Sequence, residues 1–394
     1  MSFSFHFFFL YIDDDPGGFL MSLWDYMSDF PLVIQIAIVF IFVALVATII
    51  TYLSILFKRY SGYLDDRRAA RIIPYIDELL TKHVILNEGI IMDLPVNKIE
   101  LPLHDFLTPM FKKEKVRLLL INRIVSYRKG FKGSISQLLA RLYIELGLDK
   151  DAIRKMKSSK WDVKVAAMME LTNMDMAIAD ANILPLTNSK NKEVRAEARN
   201  AYIKLSKNEP FKFFDIATEP LLKWDQVELF KIITTTPDIT IPNFARWVTY
   251  SNNKSVVSFC LILIAHYNQQ DAIPAVMKLL DTNDHQLRAN AINCLGKLKS
   301  DLAEDKLMSM YNNQPLVCRI ETLKAIGRIG SGKYLDVLRH EFLNSTDFDI
   351  QKNAAKSIIN MKFLAKELIQ ELLETGSYEN KVILKHCMNP LIKY

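Results

Sequence analysis

Leu287-Arg-Ala-Asn-Ala-Ile-Asn-Cys-Leu-Gly-Lys-Leu298 and, 31 residues later, Cys318-Arg-Ile-Glu-Thr-Leu-Lys-Ala-Ile-Gly-Arg-Ile329 carry one pattern. Steps of 31 from Val163 reach Val194, Asp225, Val256, Leu287 and Cys318, with Ile350 one residue late. Four positions after each anchor come Ala167, Ala198, Leu229, Cys260, Ala291, Thr322 and Ala354. Eight positions after come Leu171, Tyr202, Ile233, Ile264, Leu295, Ile326 and Ile358, and an eleventh-position column of mostly apolar residues follows. Offsets of 0, 4, 8 and 11 share one face of an α-helix, and the small residues of the second column let neighbouring helices approach. Each unit has room for a second helix, expected at Ala272–Leu280, Leu302–Tyr311 and Tyr334–Leu343. Turns are marked by Asp281-Thr-Asn-Asp284, Gly330-Ser-Gly332 and Asn344-Ser-Thr-Asp347. A single helical hairpin cannot bury its apolar stripe, so the units must stack. The expected fold is all-α: an α-solenoid of about seven helical hairpins over 158–394, closed by a helix at Lys381–Met388.

These two stretches, with Val194-Arg-Ala-Glu-Ala-Arg-Asn-Ala-Tyr-Ile-Lys-Leu205, resemble HEAT repeats, most closely the short subtype first associated with phycobilisome lyases. The resemblance covers about 158–394 and implies an armadillo-like helical array that binds other macromolecules. A lyase activity follows from it by fold analogy alone. Lys164, Arg195, Arg288 and Arg319 recur one position after the anchor, where the resemblance implies a structural ladder paired with turn aspartates.

At the other end, Leu32 to Phe57 is a run of 26 residues without a charge. At 1.5 Å per residue it spans about 39 Å, more than a ~30 Å hydrocarbon core, so 31–57 is expected to be a transmembrane helix. A cleaved signal peptide would need a basic start and a shorter apolar core. Residues 1–57 hold no Lys or Arg but five aspartates, so the 50 basic residues all lie beyond position 57. That bias puts the short acidic tail, 1–30, outside and the body in the cytoplasm, as a single-pass protein, of the inner membrane if the source is bacterial. Met21 opens a more conventional stretch than the Phe-rich start and is the expected initiation site.

Between these parts the period is lost. Residues 58–110 read as a basic juxtamembrane segment, and 111–157 as atypical capping helices, with helical patterns at Tyr63–Val84, Lys115–Arg128 and Ile135–Gly147. Lys58, Arg59, Arg67, Arg68, Arg71, Lys112, Lys113 and Lys115 are candidates for contact with anionic headgroups. A solvated helix face is the bland alternative for such interspersed charge.

Catalytic motifs are not found. Gly327-Arg-Ile-Gly-Ser-Gly332-Lys333 imitates a P-loop, but Tyr334 stands where Ser or Thr would hold magnesium, and a helix precedes it. The seven histidines form no metal spacing, and four cysteines without close pairs suit a reducing compartment. No cofactor, metal or small-molecule substrate is expected, and the chain is read as a non-enzyme. The function expected is a membrane-anchored scaffold or adaptor for protein partners in or at the same membrane. Nucleic-acid binding is the alternative, disfavoured because the basic excess lies beside the membrane rather than in the repeats.

Overall fold

The computed structural model describes residues 30–391. The expected start at Met21 and nearly all of the acidic tail fall outside them. Every regular element among the described residues is helical. The chain divides into two compact units, the first ending at Ile124 and the second beginning at Val125.

In the first unit one unbroken helix runs Leu32–Leu80 and widens into a π-helical turn at Thr81–Ile85. The apolar run and the Tyr63–Val84 pattern, separate in the sequence reading, are thus one rod of about 74 Å. Its apolar part is exposed throughout: Val33 is 76%, Phe40 70% and Phe57 75% accessible. Buried residues begin only at Ile76. From there Leu79, Leu80 and Val84 pack with Ile99, Phe106, Phe111, Val116 and Leu120 in a small core. The helix Glu114–Gly130 lies along the rod, held by Lys115 to Asp65 at 2.7 Å and by a two-pronged pair from Arg123 to Asp77 at 2.7 and 2.8 Å. Tyr75 stacks on Phe111.

The second unit carries the repeats. Their first helices, called A, are Trp161–Asn173, Lys192–Leu205, Lys223–Thr235, Lys254–His266, His285–Lys297, Leu316–Ile329 and Phe348–Asn360, and a final helix Tyr378–Met388 keeps the spacing. The starts are 31 residues apart except for the last two steps, 32 and 30, so the late Ile350 marks a real insertion. Shorter second helices, called B, include Ile273–Lys278, Asp301–Met310, Leu335–Asn344 and Lys366–Thr375. The first is shorter than expected because single 3-10 turns flank it at Gln270–Ala272 and Leu279–Asp281. Ahead of the first repeat, Ser134–Glu145 and Leu148–Lys155 form a hairpin with Gly133 and Gly147 at positive φ.

Adjacent A helices meet through the small residues. A Cβ on Gly296 would lie 2.6 Å from the Ala325 Cα, and one on Gly327 would lie 2.6 Å from the Ser357 Cα. Anchor residues are buried in most repeats: Val194, Val256, Leu287, Cys318 and Ile350 are at most 8% exposed. All four cysteines are buried and unpaired. Burial alone pushes the Cys260 thiol well up, and burial pushes the Cys294 thiol up to about 12.

Candidate functional site

Each A helix of four repeats is started by the same device. Ser189, Ser251, Thr282 and Ser345 present a hydroxyl to the backbone N–H two residues on, at 3.2 to 3.5 Å. The receiving residue, Asn191, Asn253, Asp284 or Asp347, then caps the helix by accepting from its first free N–H groups. In three of these repeats the residue one past the anchor closes the turn. Arg195 donates to the Ser189 carbonyl at 2.6 Å, Gln351 to the Ser345 carbonyl at 2.7 Å, and Arg288 to the Thr282 carbonyl.

The ladder therefore runs to turn carbonyls rather than to turn aspartates. Asp284 and Asp347 each turn Oδ1 to a helix N-terminus, and Asp284 gives its second oxygen to Lys254 of the preceding repeat at 2.8 Å. Arg319 departs, because Gln314-Pro315 replaces the Ser/Thr device in its turn. Its guanidinium reaches Glu341 at 3.2 Å and lies 4.9 Å from the centre of the Tyr311 ring. Lys164 is half-buried in the first A helix. The sequence reading missed Arg199, 1% exposed, which donates to the Thr187 carbonyl and pairs with Asp225 at 3.6 Å. Burial and then Arg195 pull it down to about 10, against Asp225 and Glu219. An arginine on an apolar stripe was the available signal.

A cleft of about 950 Å³ in the repeats lies between the B segments Phe213–Ile216 and Ala245–Tyr250. Phe214 and Trp247 make its floor, with ring centres 5.4 Å apart at 85°. Trp247 Nε1 donates to Asp215 Oδ1 at 2.7 Å, and Arg246 pairs with Asp215 at 3.1 Å. Asn253 fixes the far wall: it caps Lys254–His266 and donates through Nδ2 to the carbonyls of Ala217 and Glu219 at 3.0 and 3.1 Å. Tyr250 stands at the mouth, 80% exposed. A rigid aromatic floor, a projecting tyrosine and the exposed Arg246 guanidinium on the wall are the features such a cleft offers to a polypeptide. None of these residues stood out in sequence, since Phe211 to Pro220 lies outside the 31-residue columns.

The basic candidates on and beside the long helix are exposed: Lys58, Arg59, Arg67, Arg68, Arg71, Lys112, Lys113 and Lys115. Arg67 sits over the Tyr63 ring at 4.7 Å, Arg68 pairs with Asp65 at 3.3 Å, and Lys115 shares that carboxylate. The first two flank the apolar run, and the other six gather farther along the rod. The P-loop imitation is the turn between an A and a B helix: Gly330 ends the A helix at φ +76°, and Lys333 pairs with Asp305 at 2.6 Å. No cluster of three or more His, Cys, Asp or Glu suited to a metal occurs among the described residues.

Residues 245–319 match the family of HEAT repeats. No curated protein matches the chain. Among solved structures, Kap121p aligns at 13% identity with a TM-score of 0.50 over 76% of this chain, which spans only 38% of Kap121p. The complex of CpcE and CpcF of phycocyanin lyase from Nostoc sp. PCC7120 aligns at 12% identity over 76% of this chain and 95% of that one, with a TM-score of only 0.24. With the 31-residue stacking of A and B helices already described, the match over 245–319 and the likeness to Kap121p show that the second unit has a HEAT-type helical solenoid fold.

Proposed function

We propose that this protein is a membrane-anchored scaffold whose HEAT array binds protein partners, without catalysing a reaction. The cleft between Phe213–Ile216 and Ala245–Tyr250 is the observation that carries the reading. It offers an exposed aromatic and oriented donors, with no nucleophile, paired carboxylates or metal cluster assembled around it among the described residues. The anchor is the run Leu32–Phe57, exposed along its length and free of charge. Two of its polar side chains are satisfied within the helix: Thr48 and Thr51 donate to the carbonyls of Ala44 and Ala47 at 2.7 Å, as a hydrocarbon medium favours. The charge bias at its two ends supports an outside N-terminus and a cytoplasmic array.

The test is cross-linking in intact membranes, then capture of the tagged full chain and mass spectrometry, beside the double variant Arg246→Ala, Tyr250→Ala. One or two proteins should be enriched with the natural chain and depleted about tenfold with the variant, the loss of ~1.4 kcal/mol or more expected of a contact centre. Equal recovery with the variant would remove this cleft as the docking site. Recovery of nucleic acid in place of protein would sink the scaffold reading.

A further inference from the structure

A groove of about 870 Å³ lies between the long helix and the start of Glu114–Gly130. Its walls are apolar: Ile72, Met110, Val116, Leu118 and Leu119, of which Leu118 is 49% exposed. Its rim is charged by Arg68, Lys113 and Lys115, with Asp65 and Glu114 among them. Asp65 is already bridged by Lys115 and Arg68. Glu114 lies in the first turn of its helix, where the helix dipole favours a carboxylate. Arg71 and Lys112 stand exposed nearby in the chain, so the groove is an apolar trough with a cationic surround.

Its height decides what can fill it. Helix pairing places Lys115 beside Asp65 and Arg123 beside Asp77, so the two helices run parallel. Asp65 to Ile72 stand about 12 to 22 Å past Phe57 along the rod, at 1.5 Å per residue. Headgroups occupy only about 5 to 7 Å beyond the hydrocarbon, and charge is screened over ~8 Å at physiological salt. Lys58 and Arg59 are therefore at headgroup level, whereas the apolar walls near Ile72 and Leu118 are beyond the reach of acyl chains. Lipid does not cover them.

We infer that this groove docks an acidic amphipathic helix, supplied by the membrane-proximal part of a neighbouring membrane protein. Apolar residues at i, i+3, i+4 and i+7 would fill the trough, and carboxylates beside them would meet Lys113 and the exposed Arg71 and Lys112, Arg68 and Lys115 being already paired with Asp65. The proposal rests on the reading of Leu32–Phe57 as membrane-spanning, and the test separates the two.

The full chain is placed in phosphatidylcholine nanodiscs with a single fluorophore at Arg59→Cys or at Arg71→Cys, which stands about 21 Å past Phe57 along the rod. The native cysteines are all buried and stay unlabelled. A nitroxide on the headgroups should quench position 59 and leave position 71 bright. A model helix of about 18 residues, leucine on one face and glutamate on the other, should bind, and its lysine counterpart should bind at least about tenfold more weakly. Leu118→Asp should weaken the glutamate peptide about tenfold with quenching at 59 and the helical circular dichroism both unchanged, which shows the chain still inserted and folded. Equal quenching at 59 and 71 would hand the groove to lipid and overturn the proposal. So would equal binding of the two peptides, or none. Absence of quenching at 59 would instead overturn the membrane reading, and the proposal with it.

Discussion

Gly327 has no side chain because the backbone of Ser357 occupies the place one would take: a methyl group there would lie 2.6 Å from the Ser357 Cα. Two effects compete in Gly327→Ala. Alanine favours the helical state by up to ~1 kcal/mol, while overpacking a close helix contact costs ~1–3 kcal/mol. Because the nearest atoms include backbone, which yields less than a flexible side chain, overpacking wins. The variant should be less stable by about 1–2 kcal/mol in chemical unfolding, and equal or raised stability would show that the helices slide apart freely. Ser357 reinforces the contact by donating to the Leu323 carbonyl at 2.8 Å. The glycine was legible in sequence as a recurring motif letter. Its partner was not, since Ser357 belongs to the next repeat and lies outside the columns.

A helix start in this array is assembled from a hydroxyl, a cap and a clamp. Asp284 illustrates its electrostatics. It accepts from Gln286 and Leu287 N–H at 3.1 and 3.0 Å and pairs with Lys254 of the preceding repeat at 2.8 Å. The Lys254 hydrogen bond first, then the Leu287 N–H, holds its carboxyl below the ordinary value of 3.8. A carboxylate depressed in the folded state adds stability that is complete above the unfolded value and lost as the pH falls through the folded one. Thermal unfolding followed from pH 7 to about pH 2 should therefore show a steeper acid limb for the natural chain than for Asp284→Asn, which caps without titrating. Superimposable acid limbs would mean that the pair contributes nothing to folding. The Ser/Thr-x-Asn/Asp turn was readable as punctuation, but Arg195 and Arg288 do not pair with turn aspartates. Asp284 gives one oxygen to its cap and the other to Lys254, and only the folded turn aims its carbonyl at the arginine.

The whole chain joins two units with different physics. In the second, each hairpin contacts mainly its neighbours, so stability is a sum of repeat and interface contributions. A fragment 131–394 should accordingly fold without the long apolar helix, with the helical circular dichroism of the repeats and a broad unfolding transition. Deleting Tyr378–Met388 from it should lower the midpoint, because Leu384 and Cys387 seal the last core against Ile350, Ala354 and Ile358. A fragment that is soluble only in detergent, or lacks helical signal, would count against an independent array. The first unit is organised by the rod, whose apolar half has no packing partner among the described residues and whose polar half carries a core of its own.

Sequence alone determined the helical period, the stacked hairpins and the uncharged run, because these depend on spacing along one chain and the periods of 3.6 and 31 are written in it directly. It also marked Arg195 and Arg288 as recurring residues. Tertiary structure decided what those residues hold, that the rod continues to Leu80 without a break, and that Phe214, Trp247, Tyr250 and Asn253 share one cleft. It alone placed Ile72 beside Leu118. Such groups come together from different helices through the packing of whole faces, and no local pattern records which side chain another element will bring.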